Sequence, residues 1–231
     1  MNFKIPRKGY SDRQLYKKST IDINPGITVL IGCNGSGKTT MLNEIESQLK
    51  EQNIPVFKYN NLSDGGSNSM SSLLYNNNLD AMAALFSASE GESIAINLGL
   101  KAKEIIHLVK TGKKKRSKFE EALRDIQDIK DEEVSTNQRW ILFDAIDSGL
   151  SIDQVNDLKD YFFKAILDNS TDLETYIVVS ANEYELCDGL PCFSVVDSQY
   201  VSINSYEDYK KQILKSREYK DKQINKLNKK E

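Results

Sequence analysis

The sequence predicts an α/β fold, a mostly parallel sheet with flanking helices. Three observations carry this. A glycine-rich loop, Gly32-Cys33-Asn34-Gly35-Ser36-Gly37-Lys38-Thr39, follows the apolar run Ile27-Thr28-Val29-Leu30 and opens a helical pattern. Uninterrupted apolar runs alternate with helical stretches, as in strands buried on both faces. The chain has 231 residues, enough for one domain whose sheet is covered on both sides.

Residues 2–6 and 19–24 read as short strands leading to a strand at 27–32, with Pro25-Gly26 as the turn between the last two. The helix from Gly37 to about Gln52 has Met41, Leu42, Ile45 and Leu49 at helical spacing, and Asn53 closes it. A strand at 54–59 follows, and 60–69 is too polar and glycine-rich for regular structure, so it reads as a loop. Helical patterns at 70–77, 79–87, 91–111 and 119–133 place a small helical subdomain at 68–138 within a single domain of residues 1–231. Trp140-Ile141-Leu142-Phe143 resumes strand character and ends at Asp144. The next helix, from Ser151 to about Leu167, has Ser151 as cap and Asp153 in its first turn. Tyr176–Val179 is a further buried strand, 193–196 and 200–203 form a terminal pair, and 205–231 is a basic C-terminal helix or tail.

A formal net charge of −3 and an isoelectric point near 5.5 exclude a global attraction to nucleic acid or anionic membrane. Cys33, Cys187 and Cys192 are odd in number and lack metal-ligand spacing, which points to a reducing cytoplasm. The N-terminus lacks an apolar signal core, and no run approaches the ~20 apolar residues of a membrane span. The expectation is a soluble cytoplasmic protein without membrane contact.

The loop has G-x-x-x-x-G-K-T spacing, whose successive backbone N–H groups wrap phosphate oxygens of a nucleoside triphosphate. Gly32, Asn34, Gly35, Ser36, Gly37, Lys38, Thr39 and Thr40 are the binding candidates. Lys38 reaches the β- and γ-phosphates, Thr39 ligates Mg²⁺, and the helix start adds its positive dipole end. Asp144, at the C-terminal end of an apolar strand, is the second candidate for the metal.

Phe143-Asp144-Ala145-Ile146-Asp147-Ser148-Gly149-Leu150-Ser151 resembles the paired Walker B and D-loop of ABC-type ATPases, including SMC and RecF-like heads. The resemblance implies ATP and Mg²⁺ held between two heads, hence an ATP-dependent homodimer, each nucleotide being completed by the partner's signature motif. Ala88-Ser89-Glu90-Gly91-Glu92 stands in the expected order for that motif, with Ser89, Gly91 and Glu92 as its contacts. A plain helix cap accounts for the same residues.

The departures bear on turnover. The family's catalytic glutamate after the Walker B aspartate is replaced here by Ala145, and loss of a positioned base typically costs ~10²–10⁴ in rate. Hydrolysis is then slow, or Asp147 or another carboxylate substitutes, or an engineered Ala145 traps ATP; Asp147 also reads as part of the D-loop. The switch histidine is replaced within Ser180-Ala181-Asn182-Glu183, where Asn182 is the stand-in sensor of the γ-phosphate. His107 reads as structural. Asn60, Asn61 or Asp64 would serve for the missing loop glutamine. Lys38, Asp144, Asp147 and Asn182 are thus the catalytic candidates.

Lys113-Lys114-Lys115-Arg116 with Lys118, and a tail holding nine Lys/Arg against three acids from Lys210 onward, are candidate nucleic-acid contacts or solvated surface. The leading expectation is an ATP-binding ABC-type head that couples nucleotide state to nucleic-acid or partner binding. The alternative is an interaction module that hydrolyses little. A small-molecule phosphotransferase would need an arginine-rich lid, and few arginines lie between the loop and Asp144. Compact size is similar to small ATP-binding proteins of tailed bacteriophages, which implies a role in phage DNA metabolism or host interaction.

Overall fold

A computed structural model describes residues 1–6, 13–64, 88–113, 136–170 and 172–229. The expected helices at 70–77, 79–87 and 119–133, and the basic residues 114–116 and 118, lie outside the described residues.

Strands β1 (Asn2–Lys4) and β2 (Thr20–Asp22) form an antiparallel pair. The main sheet contains β3 (Gly26–Ile31), β4 (Val56–Asn60), β5 (Gln138–Asp144), β6 (Glu174–Ser180), β7 (Cys192–Ser194) and β8 (Gln199–Val201), in the order β4-β5-β6-β3-β7-β8. All neighbours are parallel except β7 and β8. From β3 the chain crosses to β4 at one edge, while β7 lies on the other side of β3. That divergence opens a crevice at the strands' C-terminal ends, where such sheets bind ligands.

The strands' period of two sorts the core. Val29, Ile31, Ile141, Phe143, Ile177 and Val179 face one side. There they meet α3 (Glu90–Thr111), α4 (Ile152–Asp157), a π-helical stretch (Leu158–Phe163), α5 (Lys164–Asp168), α6 (Tyr184–Cys187) and Tyr209 of α7 (Tyr206–Leu227). Leu30, Trp140, Leu142, Tyr176 and Val178 face the other side, against α1 (Lys38–Glu51) and the β1–β2 pair. The expected helix from Ser151 is interrupted by the π-helical stretch, whose neighbouring Phe162 and Phe163 both reach the Phe143 ring, at 5.8 and 5.7 Å between centroids.

Several boundaries move for local reasons. The strand expected at 54–59 starts at Val56, because Pro55 has no N–H to give and only accepts from Trp140 N–H at 3.0 Å. The stretch read as loop from residue 60 begins instead with the last residue of β4 and a helical turn, α2 (Asn61–Asp64), where Asp64 reaches back to the Asn60 N–H at 2.8 Å. Val195 and Val196 leave the expected strand for a tight turn in which Ser198 N–H meets Ser194 C=O at 2.8 Å.

Helix α3 runs antiparallel to β5. Buried Arg139, at the start of β5, donates from Nε to Val109 C=O near the helix C-terminus at 3.0 Å. At the other end Gly91 packs beside Gly149, just past β5. The start of α3 therefore sits at the end of the sheet that carries the crevice.

Candidate functional site

The Gly32–Lys38 loop turns between β3 and α1, with Gly35 and Gly37 at φ +73° and +103°, a region open to glycine. Ser36 N–H closes an inner turn onto Cys33 C=O at 3.0 Å. Helix α1 starts at Lys38, so its first N–H groups have no partner one turn back and face the crevice. The crevice is a cavity of about 680 Å³. Among the sequence candidates, Asn34, Gly35, Gly37, Lys38, Thr39, Thr40, Asp144 and Asn182 line it.

Lys38 Nζ donates to Gly32 C=O at 2.7 Å. Burial lowers its pKa, and the nearby Asp147, Cys33, Asp144 and Cys187 oppose that shift. A positive charge short of solvent and short of a close carboxylate partner is suited to a polyanion. Gly32 lies under the loop, where an added Cβ would come within 2.5 Å of Ser36 Oγ. That buried hydroxyl has no hydrogen-bond partner among the described residues.

Asp144 is fixed from both sides. Ser180, at the end of β6, donates from Oγ to Asp144 Oδ1 at 2.6 Å while accepting the Ala145 N–H at 2.8 Å. Asn60, its register partner on β4, donates from Nδ2 to Oδ2 at 3.3 Å. Ala145 follows at φ +54°, a conformation costing an alanine roughly 1–2 kcal/mol. Its methyl can neither accept nor donate a proton.

Asp147 stands behind the crevice wall, 1% exposed. Its Oδ2 accepts the N–H groups of Asn182 and Glu183 at 2.6 and 2.9 Å, and its Oδ1 accepts Asn182 Nδ2 at 3.3 Å. Burial raises its pKa, while those N–H bonds and Lys38 lower it. The carboxylate thus holds the loop after β6 in place. Asn182 also donates to Ser148 Oγ at 3.0 Å, so the loops after β5 and β6 are tied together.

Ser89, Gly91 and Glu92 are not among the described residues lining the crevice. They cap α3: Glu92 Oε2 accepts from both the N–H and the hydroxyl of Ser89, each at 2.8 Å. A Cβ at 91 would crowd its surroundings, lying 2.5 Å from Gln154 Oε1 and 3.0 Å from Gly149 C=O.

Sequence reasoning did not single out Arg13, Tyr16, Ser180, Ser216 or Lys220, all of which reach the crevice or its loop. Ser180 had a readable signal, a hydroxyl ending an apolar strand. The others come from distant segments and had none.

No described helix is long and apolar enough to cross a membrane. A comparison with curated proteins returns no match. Residues 22–180, from β2 through the end of β6 and including the whole loop, Asp144 and Ser180, match the family model described as the AAA domain. With a phosphate-binding loop and a strand-end aspartate on one parallel sheet, the chain belongs to the AAA domain family of P-loop ATPases.

Proposed function

We propose that the chain is an ABC-type head that binds Mg-ATP, pairs with a second copy around the nucleotide, and couples that state to nucleic-acid or partner binding with little hydrolysis. The observation that carries this reading is the position of the α3 start. Ser89 and Gly91 stand beside the loop after β5, at the crevice end of the sheet, yet outside their own crevice. There the exposed Ser89 supports a contact with a phosphate held by another copy, while Gly91 packs buried against its own chain. Ile152 is 63% exposed next to the same loop, an apolar side chain available for such a contact.

The residues present fit the cofactors. The positive-φ glycines and the buried Lys38 suit phosphate, and Thr39 with Asp144 would hold magnesium through hard oxygen donors. When bound, magnesium neutralises phosphate charge. Lys38 shares that task, the α1 start orients the phosphates, and Asn182, whose Nδ2 serves Asp147 and Ser148, stands on the crevice wall as the stand-in sensor of the terminal one. Asp147 keeps Asn182 in place. Three free thiols, Cys33, Cys187 and Cys192, fit a cytoplasmic setting. Nucleic acid, if bound, would meet Lys113–Arg116 and the basic tail.

A pure interaction module is the second reading, favoured by Ala145 together with the engaged state of Asp147. Turnover assays with and without DNA separate the two: slow turnover supports the head, and no turnover under either condition supports the module.

Sizing the protein with and without Mg-ATP tests the pairing. The expected result is a monomer that becomes a dimer only with nucleotide. A dimer indifferent to ATP, or none at all, would overturn it. A further expectation concerns Ser180→Ala, which frees Asp144 Oδ1 and strips the buried Ala145 N–H of its acceptor. Loss of such a supporting hydrogen bond typically weakens metal affinity about 10- to 100-fold. Magnesium titration of nucleotide binding should show that loss, and unchanged magnesium dependence would refute the role.

A further inference from the structure

A phosphate cradle works only if its peptide groups are turned the right way. Across a trans peptide, the C=O of one residue and the N–H of the next point in opposite directions. Whatever grips the loop's carbonyls from outside therefore aims its N–H groups inward. In this chain three donors from outside the loop grip its carbonyls. Lys220 of α7 donates from Nζ to Asn34 C=O at 3.1 Å, which fixes the Gly35 N–H. Arg13, which itself lines the crevice, donates to Gly35 C=O at 2.5 Å, and the Ser36 N–H of that peptide closes onto Cys33 C=O. Tyr16 donates from its hydroxyl to Gly37 C=O at 2.8 Å, which fixes the Lys38 N–H at the helix start.

The packing around these bonds is close. The Tyr16 ring is fully buried under Gly37, where an added Cβ would lie 2.9 Å from it. The Lys220 stem runs beside Gly35, its Cδ 3.9 Å from where a Cβ would stand. One helical turn before Lys220, buried Ser216 accepts the Cys33 N–H at 2.7 Å and donates to Ile213 C=O at 2.7 Å. Residues 33–37 are thus held from behind by two segments that flank the family match at residues 22–180.

We infer that Tyr16 and Lys220 are positioning residues that preset the phosphate loop for nucleotide, which makes the C-terminal helix part of the ATP site. The inference rests on the nucleotide-binding reading above. Preorganised amide dipoles spare the ligand the work of turning them, and the gain appears as affinity. Because the cradle wraps phosphates common to both nucleotides, its loss affects ATP and ADP alike. A cation that touched the terminal phosphate directly would affect ATP alone.

The test uses the full chain and titrates Mg-ATP and Mg-ADP against Tyr16→Phe, Lys220→Met and Lys220→Arg, with thermal melting of the nucleotide-free proteins. Tyr16→Phe keeps the ring and removes only the donor. Lys220→Met keeps most of the stem. The expected result is a fall of about 5- to 20-fold in affinity for both nucleotides, the range of one lost hydrogen bond, with restoration in Lys220→Arg and nearly unchanged melting. Wild-type affinity in both Tyr16→Phe and Lys220→Met would overturn the inference. A loss confined to ATP would overturn it in favour of direct contact, and a loss of melting temperature without a loss of affinity would make these residues merely structural. Failure of the wild-type chain to bind either nucleotide would overturn the nucleotide reading itself, and this inference with it.

Discussion

Lys38→Ala is expected to reduce Mg-ATP affinity by roughly 30- to 5,000-fold, the equivalent of about 2–5 kcal/mol for truncating one partner of a buried charge pair. The size follows from where the ammonium sits. It is drawn out of water beside the cradle and bonded only to Gly32 C=O among the described contacts, so a triphosphate would be its first strong anionic partner. The same burial makes the charge a burden on the nucleotide-free fold. Its folded pKa lies below the unfolded value, so the unfolded chain holds the proton more tightly. The penalty is full below the folded pKa and vanishes as pH rises past the unfolded one. Nucleotide-free Lys38→Ala should therefore melt no lower than wild type while losing nucleotide binding and any nucleotide-dependent dimer. Calorimetric titration beside a melting curve checks both halves. A variant that binds Mg-ATP within threefold of wild type would remove the loop from the binding site. This loss exceeds the 5- to 20-fold expected for Tyr16 or Lys220, because those residues act on the phosphates only through the backbone.

What could be read before folding divides along a physical line. The loop, the three central strands and Asp144 were legible because each is encoded locally. Glycines at 35 and 37 meet positive φ, Met41 to Leu49 keep helical spacing, and Trp140–Phe143 and Tyr176–Val179 are apolar on both faces. The capping role of Ser89 and Glu92 was legible for the same reason. Sheet order was not, since nothing local says that β6 lies between β3 and β5. Nor was the second ring of site residues. Arg13 and Tyr16 reach the loop from 22 and 21 residues away, and Lys220 from 186, so only the tertiary fold brings them there. Lys220 looked like one of many tail cations, yet it differs in facing inward from the same side of α7 as Ser216. The π-helical stretch had no signal either, as Phe162 and Phe163 in sequence do not reveal that both converge on Phe143.

Trp140→Ala should produce the largest loss of stability, about 3–5 kcal/mol by the usual cost of emptying a buried aromatic site. Against a typical total of roughly 5–15 kcal/mol this is a large share. The indole is wholly buried on β5, stacked on Tyr176 of β6 at 4.0 Å between centroids with planes 4° apart. Phe3 of β1 meets it edge-on at 5.1 Å. Removing it opens a void between the main sheet and the β1–β2 pair, and rigid strands on one side leave little freedom to close it. At roughly 2–4 °C per kcal/mol for a chain of this size, the melting temperature should fall by about 6–20 °C. Circular dichroism measures this, and a fall of under 3 °C would contradict the packing described. Tyr176→Ala gives an independent reading, since Trp140 is the sole tryptophan and its fluorescence should shift to the red as the stacking partner leaves. The same pair of variants separates the core from the site. Asp144 lies four residues beyond Trp140 but is held by Ser180 and Asn60 at the strand ends, not by the indole. Saturating Mg-ATP should therefore raise the melting temperature of Trp140→Ala by about as much as it raises the wild type, because that increment depends on affinity and ligand concentration. A much smaller increment would mean that the stacked rings also set the position of Asp144, the candidate metal ligand.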